Sequence, residues 1–193
     1  MMKNAKNVTV IGLGNMETNT AASFLLTETR QRLVDVWEAH TRYEFEKKDV
    51  EGTMSTMIDA EAHIINIPSM QGGIGNAAVR YFYANNFLIS MPDDLQSILI
   101  SRTVGDTQIV DETILKFTHT IRMDWILPGI EPTGKKVEVS VIAIVGFREG
   151  KVSHEHIYWD QATVLAQVGL IDASKLPVFG EQGTKAVLER MQD

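Results

Sequence analysis

The sequence predicts an α+β fold in which one curved sheet folds over helices. Helical periodicity dominates the first half of the chain, and β-rich runs then follow one another without intervening helices. A sheet wrapped in this way leaves a concave interior, a usual place for small molecules to bind. The 193 residues suit one domain of ordinary size.

Residues 21–48 carry the first helical pattern. Leu33, Val36, Trp37, His40 and Tyr43 recur at three- and four-residue spacings, with Arg30, Arg32, Asp35, Arg42 and Glu46 between them. Asp49 is placed to cap a second, short helix with Val50, Met54 and Met57 on its buried face. Residues 62–67 read as a strand ending at Pro68, Gln71-Gly72-Gly73-Ile74-Gly75 as a glycine-rich turn, and residues 76–83 as a helix. Strands are expected over residues 97–104, 108–117, 118–126, 137–147 and 151–159, with Arg148-Glu149-Gly150 turning the last hairpin. Residues 161–170 are amphipathic through Val164, Leu165 and Val168. The expected organisation is an N-terminal arm over 1–20, the domain over 21–172, and a tail over 173–193 that runs along the surface before a closing helix.

Composition narrows the function. Hydrophobic residues make up 44% and charged residues 22%, an ordinary balance for a folded chain. The 18 basic against 25 acidic residues give a net charge of −7, which argues against nucleic-acid and anionic-membrane partners. With no cysteine, the chain has no disulfide, thiolate metal site or cysteine nucleophile. No stretch reads as a signal peptide or a span of about 20 apolar residues, so a cytoplasmic location is expected.

Val8-Thr9-Val10-Ile11-Gly12-Leu13-Gly14-Asn15-Met16 resembles the opening of an NAD(P)-binding domain, with residues 32–37 as an imitation second strand and Glu38 as the ribose acid. The third glycine position is Glu17, whose bulk and charge would stand where the pyrophosphate must sit. The alternating strand–helix units of such a domain then fail to follow. No cofactor is expected.

A different resemblance covers about residues 29–172. It rests on the helix with Trp37 and Tyr43, on Ile67-Pro68 with the glycine turn and Tyr81-Phe82-Tyr83, and on His119-Thr120-Ile121-Arg122-Met123-Asp124-Trp125 with Leu127-Pro128-Gly129. Pro132-Thr133-Gly134 and Phe147-Arg148-Glu149-Gly150-Lys151 leading to His156-Ile157-Tyr158-Trp159-Asp160-Gln161 complete it. In these stretches the chain resembles the nuclear transport factor 2-like superfamily, in its SnoaL-like branch. The resemblance implies a cone of helices and a bent mixed sheet, a homodimer, and a small-molecule site for an apolar or polyketide-like substrate. Hydrolase, cyclase, isomerase and dehydratase chemistries all occur on this fold. The aspartate base of SnoaL-type cyclases would fall on Ala143 or its neighbours Ile142 and Ile144 and is therefore missing. Limonene-epoxide hydrolases, which the chain resembles in part, would match Arg122, Asp124 and Asn66, but Ile64 and Ile157 replace their tyrosine and second aspartate.

The residues themselves offer these candidates. Arg122 and Asp124 share a face if they lie on a strand, and a carboxylate held by a guanidinium in an apolar cavity can exchange a proton. The partial resemblance to limonene-epoxide hydrolases adds Asn66, which would position water or a carbonyl. Glu155 shares a face with Ile157 and is the candidate for the missing base. His154 and His156 are spaced as strand-borne imidazoles that would need His119 or Asp160 to complete a metal site, and none is expected. Tyr81, Tyr83, Trp125, Ile157 and His63 are the candidate substrate contacts. A non-catalytic ligand-binding or dimerisation module is the alternative to an enzyme.

Overall fold

A computed structural model describes residues 8–9 and 20–191. The first helix, α1 (Thr20–Arg42), runs directly into a π-helical turn, Tyr43–Lys47, and stops where Lys48 adopts a left-handed conformation. Asp49 then caps α2 (Val50–Ser55) as expected, its side chain accepting the Gly52 N–H at 3.0 Å. The chain continues through β2 (His63–Asn66), β3 (Gln71–Ile74) and α3 (Asn76–Phe82), which passes into a second π-helical turn, Tyr83–Phe87. Four long strands follow: β4 (Gln96–Val104), β5 (Gln108–Thr118), β6 (Lys136–Arg148) and β7 (Lys151–Trp159). Helix α4 (Gln161–Gln167), a 3₁₀ turn (Ala173–Lys175) and α5 (Gln182–Arg190) close the described chain.

The strands form one mixed sheet in the order β1-β4-β5-β6-β7-β2-β3, where β1 is the two-residue strand Val8–Thr9. Pairing is parallel at β1–β4 and β2–β7 and antiparallel elsewhere. The fold is thus the predicted α+β cone, with helices packed in a curved, mostly antiparallel sheet. Alternation on β6 sends Val137, Val139, Val141, Ala143 and Val145 inward. Burial of each valine contributes about 1.5–3 kcal/mol before the entropy of ordering the chain is counted.

Two register shifts re-aim side chains. Between Leu99 and Ser101 the β4–β5 register slips, so Ser97 and Leu99 share the inner face with Arg102 instead of Ser101. A second slip at Gly146/Phe147 lets both Val152 and Glu155 of β7 face inward.

Three expectations about elements need correction. The glycine turn at residues 71–75 is mostly strand β3. Gly72 (φ 143°) lies so close to β2 that an added Cβ would stand 2.0 Å from the Ile64 carbonyl oxygen, and one on Gly73 would stand 2.5 Å from the Ala78 backbone. These glycines serve close packing on β2 and α3 rather than reversal of the chain. Residues 119–126 form no strand. After His119 donates its N–H to the Lys135 carbonyl, the chain winds into a helical turn in which Ile126 and Leu127 both donate to Met123 O. Consecutive Trp125, Ile126 and Leu127 are all buried there, which a two-faced strand cannot achieve. Residues 32–37, the imitation second strand, lie in α1, and Glu38 pairs with Arg102 at 3.3 Å. Gly12, Gly14 and Glu17 lie outside the described residues.

Candidate functional site

Inside the cone lies a cavity of about 100 Å³, walled on one side by α1 and the two π-helical turns and on the other by inner-face residues of β2, β4, β5, β6 and β7. Phe82, Phe87, Leu99, Leu115 and Trp125 make most of it apolar. Two polar groupings interrupt that wall.

The first gathers side chains from α1, the π-helical turns and β7. His40 and Glu44 are one helical turn apart and so share a face, and Glu155 approaches from between Ile64 of β2 and Val145 of β6. Nε2 of His40 stands 3.2 Å from Glu44 Oε1, 3.1 Å from Glu155 Oε1 and 3.0 Å from the Tyr83 hydroxyl. Tyr83 donates that hydroxyl to Glu155 Oε1 at 2.9 Å. On the other side of the ring, Nδ1 lies 2.6 Å from Thr56 Oγ1. Since Thr56 donates its own proton to the Thr53 carbonyl, its oxygen must accept from Nδ1–H. Nδ1 therefore carries a proton, and Nε2 faces two carboxylates and a phenol oxygen whose own proton goes to Glu155, a setting that holds a second proton on the ring.

Electrostatics agrees with this protonation. Burial alone would pull the His40 pKa down, but the carboxylates of Glu44 and Glu155 outweigh it and hold the pKa at about 10. Burial raises the Glu44 carboxyl, opposed by His40 and reinforced by Glu155. Burial and the same two carboxylates push the Tyr83 phenol well above its ordinary value, so it remains a donor. Buried charges persist only when paired and hydrogen-bonded, and here one imidazolium serves two carboxylates.

The second grouping is a bidentate pair. Arg102 donates from Nε and Nη2 to Asp111 at 2.7 and 2.8 Å, and the Trp37 indole N–H donates to Asp111 at 2.7 Å. Trp37 also stacks on His40, with centroids 5.2 Å apart, and so joins the two groupings. Close by, Asn66 lines the cavity and its side-chain amide makes no hydrogen bond among the described residues.

Of the expected site residues, Asn66, Glu155, Tyr83, Trp125 and Ile157 line this cavity. Arg122 and Asp124 do not. They sit in the turn that replaced the expected strand, as an ion pair at 2.9 Å whose side chains are 54% and 34% exposed. Asp124 there accepts the Gly129 N–H at 2.8 Å, which pins the Pro128-Gly129 bend. Tyr81 is 65% exposed, because Phe82 and Tyr83 take the inward positions. His63 lies on the face opposite the cavity, stacked on His154 and 3.1 Å from His156 through Nε2 atoms. Neither His119 nor Asp160 joins those imidazoles, since His119 bonds Thr133 and Asp160 caps α4.

Sequence reasoning overlooked His40, Glu44, Arg102 and Asp111. His40 was legible as part of the apolar stripe, and the available signal was the titratable His40–Glu44 pair at i,i+4 beside that stripe. Arg102 and Asp111 lie on opposed strands, and only the bulge at Leu99/Ser101 makes them inner-face partners.

The model of a family described as SnoaL-like polyketide cyclase matches residues 28–168. Among solved structures, a protein described as a SnoaL-like polyketide cyclase from Jannaschia sp. CCS1 aligns with a TM-score of 0.59 at 18% identity, covering 74% of this chain and 94% of that one. One described as a polyketide cyclase from Xanthomonas campestris pv. campestris gives 0.54 at 20% identity, covering 73% and 99%. A protein with a ketosteroid isomerase-like fold from Catenulispora acidiphila DSM 44928, in complex with trimethylamine, gives 0.52 at 13% identity, covering 72% and 93%. At such identities these likenesses concern the fold. No curated protein matches the chain.

Proposed function

The chain belongs to the SnoaL-like polyketide cyclase family, and from that premise we propose that it is an enzyme moving a proton on a small, mostly apolar carbonyl compound. The observation that carries this reading is Glu155, a carboxylate on a mostly apolar cavity wall, held through Oε1 by Tyr83 and His40. Its other oxygen, which neither contact uses, takes the proton from the carbon beside the carbonyl. The unbonded amide of Asn66, diagonal to Glu155 across the β2–β7 pairing, donates to the oxygen on which negative charge develops. Returning the proton at another carbon gives isomerisation, and attack of the enolate on a second carbonyl gives ring closure.

Cavity size supports a small substrate. An engineered cavity of about 150 Å³ holds benzene, so about 100 Å³ suits a compact molecule rather than a multi-ring polyketide. Arg102 and Asp111 neutralise each other and supply a polar wall without a free charge.

The test is exchange of carbon-bound hydrogen for deuterium, followed by NMR over a panel of small enolisable ketones and lactones. Wild type should catalyse exchange on at least one class, Glu155→Gln should lose about 10²–10⁴-fold, and Asn66→Ala about 10²–10³-fold. Exchange that survives Glu155→Gln undiminished overturns the assignment.

A further inference from the structure

The geometry points to a second occupant for the cluster at the end of the cavity: His40, Glu44 and Glu155 form a binding site for one divalent transition-metal ion. This inference rests on the reading of the cluster as the reactive end of the cavity, and it names the cofactor class that end would take.

The three side chains offer one imidazole nitrogen and two carboxylate oxygens, all within 4.8 Å of one another. Nε2 lies 3.2 and 3.1 Å from the two Oε1 atoms. An ion bonded to nitrogen and oxygen at about 2.0–2.2 Å brings its ligand atoms to about 2.9–3.5 Å of each other. The Nε2 contacts already have that spacing, so an ion enters by replacing the Nε2 proton with little movement of the backbone.

The surroundings are those of a metal ligand. Thr56 Oγ1 accepts Nδ1–H at 2.6 Å and fixes the ring so that Nε2 faces the carboxylates, the outer-shell arrangement common to metal-bound histidines. Tyr83 donates its hydroxyl to Glu155 Oε1 at 2.9 Å and so fixes the direction of that carboxylate. Glu44 and Glu155 line the cavity while His40 lies behind them, so three protein ligands leave the cavity side open for water or substrate. Charge also fits: two carboxylates and a neutral imidazole around a divalent ion sum to zero, as a buried site requires. One nitrogen and two oxygens suit Zn²⁺, Co²⁺, Mn²⁺ or Fe²⁺ over the softer ions that prefer sulfur. On the reaction proposed above, such an ion would polarise the substrate carbonyl.

Titration of chelator-treated wild type with Co²⁺, followed by its visible absorption and by equilibrium dialysis, tests this directly. Saturation at one ion per chain, reversed by Zn²⁺, is expected. Glu44→Gln and His40→Gln should abolish the absorption. Thr56→Val keeps all three ligands and should weaken binding about 10–100-fold, which covers the case in which a ligand variant fails to fold. Absence of saturable binding up to about 1 mM Co²⁺ overturns the site, as does stoichiometric binding that survives both ligand substitutions. Deuterium exchange by the metal-free protein with no Co²⁺ bound would sink the metal site alone, whereas one bound Co²⁺ without exchange on any substrate would sink the catalytic reading alone.

Discussion

Tyr83 donates its hydroxyl to Glu155 across the end of the cavity, at 2.9 Å and with both side chains buried. The contact joins the turn after α3 to the centre of β7, so it is both a tether between layers and the restraint that orients the carboxylate.

Tyr83→Phe removes that donor and keeps the ring against Phe82 and Phe87. A hydrogen bond to a buried carboxylate is worth about 1.5–3 kcal/mol, and urea denaturation should register a loss in that range. A variant as stable as wild type would mean that His40 alone satisfies Glu155.

Breaking the Arg102–Asp111 pair should cost more than Tyr83→Phe. Asp111→Ala strands a guanidinium that is 4% exposed and leaves it only Glu38 at the rim. Removing one partner of a buried ion pair typically costs about 3–5 kcal/mol, whereas replacing both with apolar groups of similar volume is often neutral. The double variant Arg102→Met/Asp111→Leu should therefore unfold at a higher urea concentration than either single substitution. If the double is the least stable of the three, the pair is stabilising in its own right and the desolvation argument fails.

Arg122→Ala and Asp124→Asn should leave ligand binding and turnover at wild-type levels, because both side chains lie outside the cavity. Asp124→Asn keeps an acceptor for the Gly129 N–H and should preserve the bend. Calorimetric titration with any ligand found for the cavity would check this, and a tenfold loss of affinity in either variant would return the pair to the site.

These variants also mark where sequence reading succeeds. Asn66 was legible through the partial likeness to limonene-epoxide hydrolases, and Glu155 because it shares a face with Ile157 on a strand that is regular there. Arg122 and Asp124 misled because Ile121, Met123 and Trp125 alternate as a strand would. What decides against a strand is remote: His119 is held by Lys135 and Gly134, and the backbone after it winds to cover the core. Arg102 escaped for the opposite reason, since one slipped residue in β4 reverses the parity on which the reading depends. His40 looked like core, and it is core; local spacing reports its Glu44 partner at i,i+4, but not Glu155, which arrives from β7.

His119 provides a pH test that is independent of the cavity. It is fully buried, its Nδ1 accepts the Thr133 N–H at 3.3 Å, and its Nε2 has no hydrogen-bond partner among the described residues. Burial holds its pKa below the ordinary histidine value. Above the unfolded pKa of about 6.5 the ring is neutral in both states, and titration contributes nothing. As pH falls through that value the unfolded chain takes the proton first, so stability is lost progressively until the folded ring also protonates. His154 and His156, also lowered, act in the same direction, and His40, raised, acts against them. All three are present in wild type and in His119→Gln, so the comparison isolates His119. Glutamine keeps an acceptor for Thr133 but does not titrate. Melting temperatures should show the variant less stable than wild type at pH 7.5, through lost packing, with the gap narrowing at pH 5. A gap that is equal or wider at pH 5 would mean that the ring takes its proton inside the fold as readily as outside, contrary to its burial.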